Sequence, residues 1–182
     1  MFVGGFQHPP NVDAVRYYAD EIWPRVRSAL PEVKTYIIGS KMTEDLARHG
    51  RAAGLEMVGY VPDLEPYLNG CRLSISPLRF GAGVKGKVNQ SMSYGLPVVA
   101  SPVSVEGMSL AHQENILVAD TADEFAQAVI RLYTDDELWQ RLSAAGLENI
   151  KVQFSSETAR RALAEMLGLL DLPTRFALAQ SA

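Results

Sequence analysis

The sequence predicts an α/β domain with a parallel sheet and helices on both of its faces. Three observations carry that expectation. Short apolar runs alternate with longer helical stretches, and strands alternating with helices imply right-handed crossovers within one sheet. The runs VKTYIIGS and LPVVAS are rich in β-branched residues, as strands covered on both faces should be. The 182 residues suit a single domain, and a hydrophobic content of 47% is enough to fill its core.

Met1-Phe2-Val3 reads as the first strand, ended by Gly4-Gly5. Asn11 is placed to cap a helix running to about Leu30, with Val12, Val15, Ile22, Val26 and Leu30 near helical spacing. Thr35 to Ile38 is the second strand, closed by Gly39, and residues 44–53 form a helix stopped by Gly54. Leu55 to Val61 is the third strand, and Asp63 can cap a short helix to Leu68. Leu73 to Ser76, ended by Pro77, is the fourth. A glycine-rich loop over residues 81–86 leads into a helix to about Tyr94, and Pro97 to Ala100 is the fifth strand. Asn115 to Val118 is the sixth. Thr121-Ala122-Asp123-Glu124 has the form of a capping box and opens a helix to about Tyr133. Helices over 135–151 and 156–170 follow without intervening strands, so they should pack on one flank, and the tail after Pro173 has no clear period. No internal repeat is visible.

Composition narrows the function classes. A net charge of -4 argues against a nucleic-acid backbone as partner. Cys71 is the only cysteine, which rules out an intrachain disulfide and a cysteine-rich zinc site and fits a reducing, cytoplasmic compartment. No apolar run approaches the roughly 20 residues that cross a bilayer. No basic-then-apolar leader precedes the first strand, and the chain opens directly into an apolar run, as a domain cut at its boundary would.

In an open parallel sheet, ligands bind outside the carboxyl ends of the strands, so the loops after strands are the places to inspect. The fourth strand runs into Pro77-Leu78-Arg79-Phe80-Gly81-Ala82-Gly83-Val84-Lys85-Gly86-Lys87, where a helix begins. Glycines let a ligand approach the backbone, and a helix start offers free N–H groups and the positive end of a dipole. With Lys85 and Lys87 these are the ingredients of a phosphate site. They are equally those of a flexible loop with solvated lysines, and the spacing is not that of a Walker loop. Gln90 shares a helix face with Lys87, where an amide could bond a sugar hydroxyl or simply face solvent. His8 follows the first strand, but without a partner it is weak evidence for acid–base work. His49 and His112 read as surface residues, and the pairs Glu44-Asp45 and Asp135-Asp136 as acids at helix starts.

The run PLRFGAGVKGKVNQSMSYGLPVVAS resembles the donor-site segment of retaining glycosyltransferases of the GT-B fold, the family-4 group also called glycosyl transferases group 1. Supporting similarities are FVGGFQHPPNVDAV, KTYIIGS, MVGYVPDLEPYL, ENILVADTADEFAQAVIRLYTD and ELWQRLSAAG, in the family's order over about residues 1–154. Such enzymes have two Rossmann-like domains facing across a cleft, and this chain resembles the C-terminal, donor-binding one. The resemblance implies a Rossmann-like nucleotide-sugar-binding domain over 1–154 and a closing helix over 155–170. That helix would cross to an N-terminal acceptor domain, with Leu163, Met166, Leu167 and Leu170 facing it, and a tail follows over 171–182. It implies Gly81, Gly83 and Val84 at the donor phosphates, Lys85 as the diphosphate cation with Lys87 second, Gln90 at the ribose, and Gly59, Tyr60 and Val61 at the base. No cofactor or metal is implied, since helix starts and lysines take the neutralising role. Peripheral membrane association would come through the other half.

Two departures from the family pattern stand out. Its usual pair of glutamates falls at Ala82 and Gln90, and its usual Arg and Lys after the first strand are replaced around Phe6-Gln7-His8-Pro9. A neutral amide keeps hydrogen bonding but loses the charge-assisted contact. Two functions therefore compete: sugar transfer from a nucleotide-diphosphate donor with retention, and a nucleotide- or partner-binding domain without turnover. A flavin-binding or phosphoacceptor domain is disfavoured by the lack of an acidic cluster after the first and third strands.

Overall fold

The computed structural model describes residues 1–169. Among them are six short strands: β1 (Phe2–Val3), β2 (Tyr36–Ile38), β3 (Glu56–Gly59), β4 (Ser74–Ser76), β5 (Val98–Ala100) and β6 (Leu117–Val118). β1, β2 and β3 form one parallel ladder and β4, β5 and β6 another. Two hydrogen bonds join them. The Met1 nitrogen donates to the Leu73 carbonyl at 2.8 Å, and the Ile75 N–H donates to the Met1 carbonyl at 2.9 Å. This slanted donor–acceptor pair is the parallel pattern. The spatial order is thus β3-β2-β1-β4-β5-β6, and its direction of winding reverses between β1 and β4. A crevice opens outside the strand ends at such a switch point.

The two-residue period of the strands sorts their side chains onto two faces. Phe2, Ile37, Ile75, Val99 and Leu117 pack in one core with Val15, Tyr18, Ile22 and Phe125. On the other face Met1 and Ile38 pack with Leu68 and Leu96, and Val98 and Ala100 with Val88 and Met92. The parallel sheet is therefore covered by helices on both faces, as the alternation of segments predicts.

The helices are α1 (Pro9–Tyr17), α2 (Trp23–Ala29), α3 (Glu44–Ala53), α4 (Glu65–Gly70), α5 (Gly86–Ser93), α6 (Pro102–Val105), α7 (Ala122–Thr134), α8 (Asp136–Phe154) and α9 (Ser156–Leu169). Their ends follow local chemistry. Thr43 accepts from the Leu46 N–H at 3.3 Å, and Gly54 stops α3 at φ +88°. The capping box of Thr121 and Glu124 forms with both of its bonds, and Asp135 caps α8. Asp63 accepts from the Glu65 N–H at 2.9 Å, just ahead of α4.

The expected single helix from Asn11 to Leu30 differs in two ways. It begins at Pro9, because Pro9 and Pro10 preset the first turn, so Asn11 is not its cap. It is also interrupted by a π segment, Tyr18–Ile22. Pro24 has no N–H for the carbonyl of Asp20, and its ring would press on that carbonyl. The chain widens instead, and the Trp23 N–H bonds to the Tyr18 carbonyl. β3 stops at Gly59, short of Val61, because Gly59 turns the chain at φ +80°. α6 is an element the sequence pattern did not reveal. On α9, Leu163 and Met166 are exposed. Leu170 and the tail 171–182 lie outside the described residues. No helix among the described residues is long and apolar enough to cross a membrane.

Candidate functional site

The loops that leave β1 and β4 meet at the switch point. Arg79 fixes the start of the second loop. Its guanidinium donates to both carboxylate oxygens of Asp13 on α1, at 2.9 and 2.5 Å, and lies 4.8 Å from the centre of the Tyr17 ring. The chain then passes over the start of α1, where a Cβ on Gly81 would come 3.7 Å from Pro10. Gly81 and Gly83 take φ of +132° and +76°, a region that side-chain-bearing residues avoid. Val84 is exposed. Lys85 turns inward, only 8% exposed, and α5 begins at Gly86.

Lys85 stands at the N-cap of α5 but offers no side-chain acceptor, so the first turn has no side-chain cap, although the Val88 N–H donates to the Lys85 carbonyl at 2.9 Å. Its ammonium donates to the Gly83 carbonyl at 2.5 Å. The Lys87 ammonium donates to Asn11 Oδ1 and lies 4.3 Å from the centre of the Phe2 ring. Burial, and then the nearby Lys85 charge, lower the Lys87 pKa to about 8. Among the described residues neither ammonium pairs with a carboxylate. Two cations, a glycine backbone and a helix start without a side-chain cap thus converge without a neutralising acid. That arrangement suits an anion carrying more than one charge.

Gly81, Gly83, Val84, Lys85 and Lys87 are therefore brought together. Gln90 stands about one turn further along α5, exposed, its amide without a protein hydrogen bond among the described residues. Gly59 ends the outer strand β3 at the same end of the sheet, Tyr60 and Val61 follow it, and Tyr60 is 72% exposed. The Gly59 carbonyl already accepts from the Gly39 N–H at 2.8 Å. His8 is an exposed residue at the N-cap of α1. His112 accepts the Val118 N–H at its Nδ1, and His49 Nε2 lies 2.8 Å from Asp20; both serve local structure.

Three site residues escaped the sequence pattern. Asn11 passed as a cap, although two prolines ahead of it already start the helix. Asp13 and Arg79 meet only through the fold, being 66 residues apart. The site itself is an open shelf. A concavity of about 420 Å³ beside β6 and another of about 300 Å³ near Met1 and Cys71 take in no residue of the glycine loop. Among the described residues no group of three or more His, Cys, Asp or Glu side chains is placed to hold a metal ion.

Comparison with known proteins gives these features a family. Residues 1–135 match the family model described as glycosyl transferases group 1. A protein of Klebsiella pneumoniae, described as an uncharacterized 44.6 kDa protein in the cps region, is 28% identical over 138 residues, 71% of this chain and 36% of that protein. Among solved structures, TarM matches with a TM-score of 0.74 at 19% identity, over 89% of this chain and 33% of TarM. HepE of Anabaena, solved with UDP-glucose, matches at 0.73 and 17% identity, over 92% of this chain and 48% of HepE. The C-terminal domain of the group 1 protein LpcC from Francisella tularensis matches at 0.64 and 11% identity, over 86% of this chain and 84% of that domain. The chain spans about a third of the length of the Klebsiella relative and of TarM. Its α/β architecture is that of the C-terminal domain of a GT-B glycosyltransferase, and the chain belongs to the glycosyl transferases group 1 family.

Proposed function

We propose that this chain is the donor-binding half of a retaining glycosyltransferase and takes the diphosphate of a nucleotide sugar at the switch point. The observation that carries this reading is the pair of ammonium groups, Lys85 and Lys87, set at a helix start without a side-chain cap and, among the described residues, without a carboxylate partner. Gly81, Gly83 and Val84 would give backbone N–H groups to the phosphates. When the bond from sugar to diphosphate breaks, negative charge grows on the leaving phosphate. Fixed cations and helix N–H groups stabilise that charge without having to reorganise. Gln90 would reach the ribose, and Gly59, Tyr60 and Val61 would flank the base. HepE was solved with UDP-glucose and a TarM variant of S. aureus with UDP, which supports a nucleoside diphosphate as the ligand class.

An acceptor-binding half would close the open shelf, and α9 would cross to it through Leu163 and Met166. A second reading, a nucleotide- or partner-binding domain without turnover, is favoured by Ala82 and Gln90 at the places of the family's glutamates. Calorimetric titration with UDP, uridine and pyrophosphate tests the proposed ligand. UDP and pyrophosphate should bind and uridine alone should not. Binding of uridine with no response to pyrophosphate would contradict the diphosphate site. Donor turnover by the longer protein separates the two readings.

A further inference from the structure

The Asn11 side chain bridges the two sides of the crevice, the turn after β1 and the first turn of α5. Its amide nitrogen donates to the Gly5 carbonyl at 2.8 Å, and its Oδ1 accepts from the Lys87 ammonium. The orientation is forced: a carbonyl can only accept and an ammonium can only donate, so the amide can face these two partners in one way. Asn11 is 9% exposed, and the chain makes room for it. A Cβ on Gly4 would come 2.8 Å from the Asn11 Cγ. The amide thus lies where the glycine turn after β1 and the first turn of α5 meet, on the floor of the switch-point crevice.

We propose that Asn11 is a positioning residue for the diphosphate site: it bridges Gly5 and Lys87, and so holds the Lys87 ammonium on the crevice floor. This rests on the reading of that crevice as a diphosphate site. Among the described residues three groups act on the Lys87 ammonium. Phe2 presents its ring from β1, Lys85 adds a like charge from the start of α5, and Asn11 supplies an acceptor from α1. Asp13, two residues beyond Asn11 and so on the far side of the helix, is held by Arg79. Asn11 is therefore the oxygen ligand that favours the charged, phosphate-binding form of Lys87, against burial and Lys85. Without it the ammonium, still buried against Phe2 and Lys85, loses its acceptor and gives up its proton at lower pH.

The test titrates UDP and pyrophosphate into the parent chain and its Asn11→Leu, Asn11→Asp and Lys87→Ala variants, from about pH 6.5 to 9.5. Asn11→Leu keeps the size and removes the acceptor. It should weaken both ligands about threefold to tenfold at neutral pH and move the alkaline loss of binding to lower pH. Asn11→Asp, nearly isosteric, should move that loss to higher pH. A merely structural role would lower affinity without moving the midpoint in opposite directions. If Lys87→Ala weakens binding but neither Asn11 variant moves the midpoint, Asn11 does not position Lys87 while the diphosphate site stands. If the parent binds neither ligand, or Lys87→Ala binds as the parent does, the underlying reading falls with it. Should Asn11→Leu fail to fold by circular dichroism, the direction of the Asn11→Asp shift decides alone.

Discussion

The Lys87 ammonium sits 4.3 Å from the centre of the Phe2 ring, on the face of the first strand that builds the main core. A charge so placed is costly, and its pKa is lowered from the ordinary 10.5 to about 8. In that window the unfolded chain binds more protons than the folded one, so this group makes stability rise with pH from about 8 to 10.5. Below that window the cost is present in full. Lys87→Met should therefore raise the unfolding free energy at neutral pH by about 1–3 kcal/mol and remove the alkaline rise. Urea unfolding of both proteins on either side of the window checks this. A less stable Met variant at neutral pH would show that Lys87 is not a strained cation.

Gly39, behind the turn after β1, and Gly83, in the glycine loop, should differ by what a methyl group would meet. On Gly39, at φ +152°, a Cβ would lie 1.7 Å from the Gly4 carbonyl oxygen. Gly39→Ala should cost about 3 kcal/mol or more, because a backbone atom must move. On Gly83, at φ +76°, it would meet nothing within 4 Å. Gly83→Ala should cost only the backbone strain, about 1–2 kcal/mol. Thermal unfolding of both variants measures the difference, and equal losses would mean the packing around Gly39 yields.

Asp13→Ala should have little effect on stability, within about 1 kcal/mol, because its Arg79 partner is half exposed. UDP affinity should fall severalfold, since the glycine loop loses its anchor on α1. Unchanged affinity would show that the loop holds its shape without Arg79.

Gln90→Ala should weaken UDP severalfold and leave pyrophosphate nearly unchanged. The amide stands about one turn, roughly 5 Å, beyond the lysines, a distance suited to the ribose. Gln90→Glu should match or exceed the parent for UDP, because a carboxylate accepts from two hydroxyls at once. Titration of the three proteins with both ligands checks this. Parent-like UDP binding by both variants would make Gln90 a surface residue.

Most of the fold was legible because the signals are local. Six strands, the stop at Gly54 and the capping box at Thr121 follow from neighbouring residues alone. The π segment was not, because a proline inside an apolar period can end, kink or widen a helix, and the choice depends on packing around Tyr18 and Trp23. The glycine loop and its lysines were visible as a run. The inward turn of Lys85, the Asn11 bridge and the Arg79–Asp13 clamp were hidden because they join segments that meet only when β1 and β4 become neighbours.

The central claim is that Lys85 and Lys87 together hold a diphosphate at the switch point. Its most direct test is calorimetric titration of UDP, at fixed low salt, into the parent chain, the two single alanine variants and the double variant. Each charge-assisted contact contributes about 1.5–3 kcal/mol, so each single substitution should weaken UDP about tenfold or more, Lys85→Ala the more of the two. The double variant should show no measurable binding. UDP binding of equal strength in the parent and the double variant would contradict the assignment of this site.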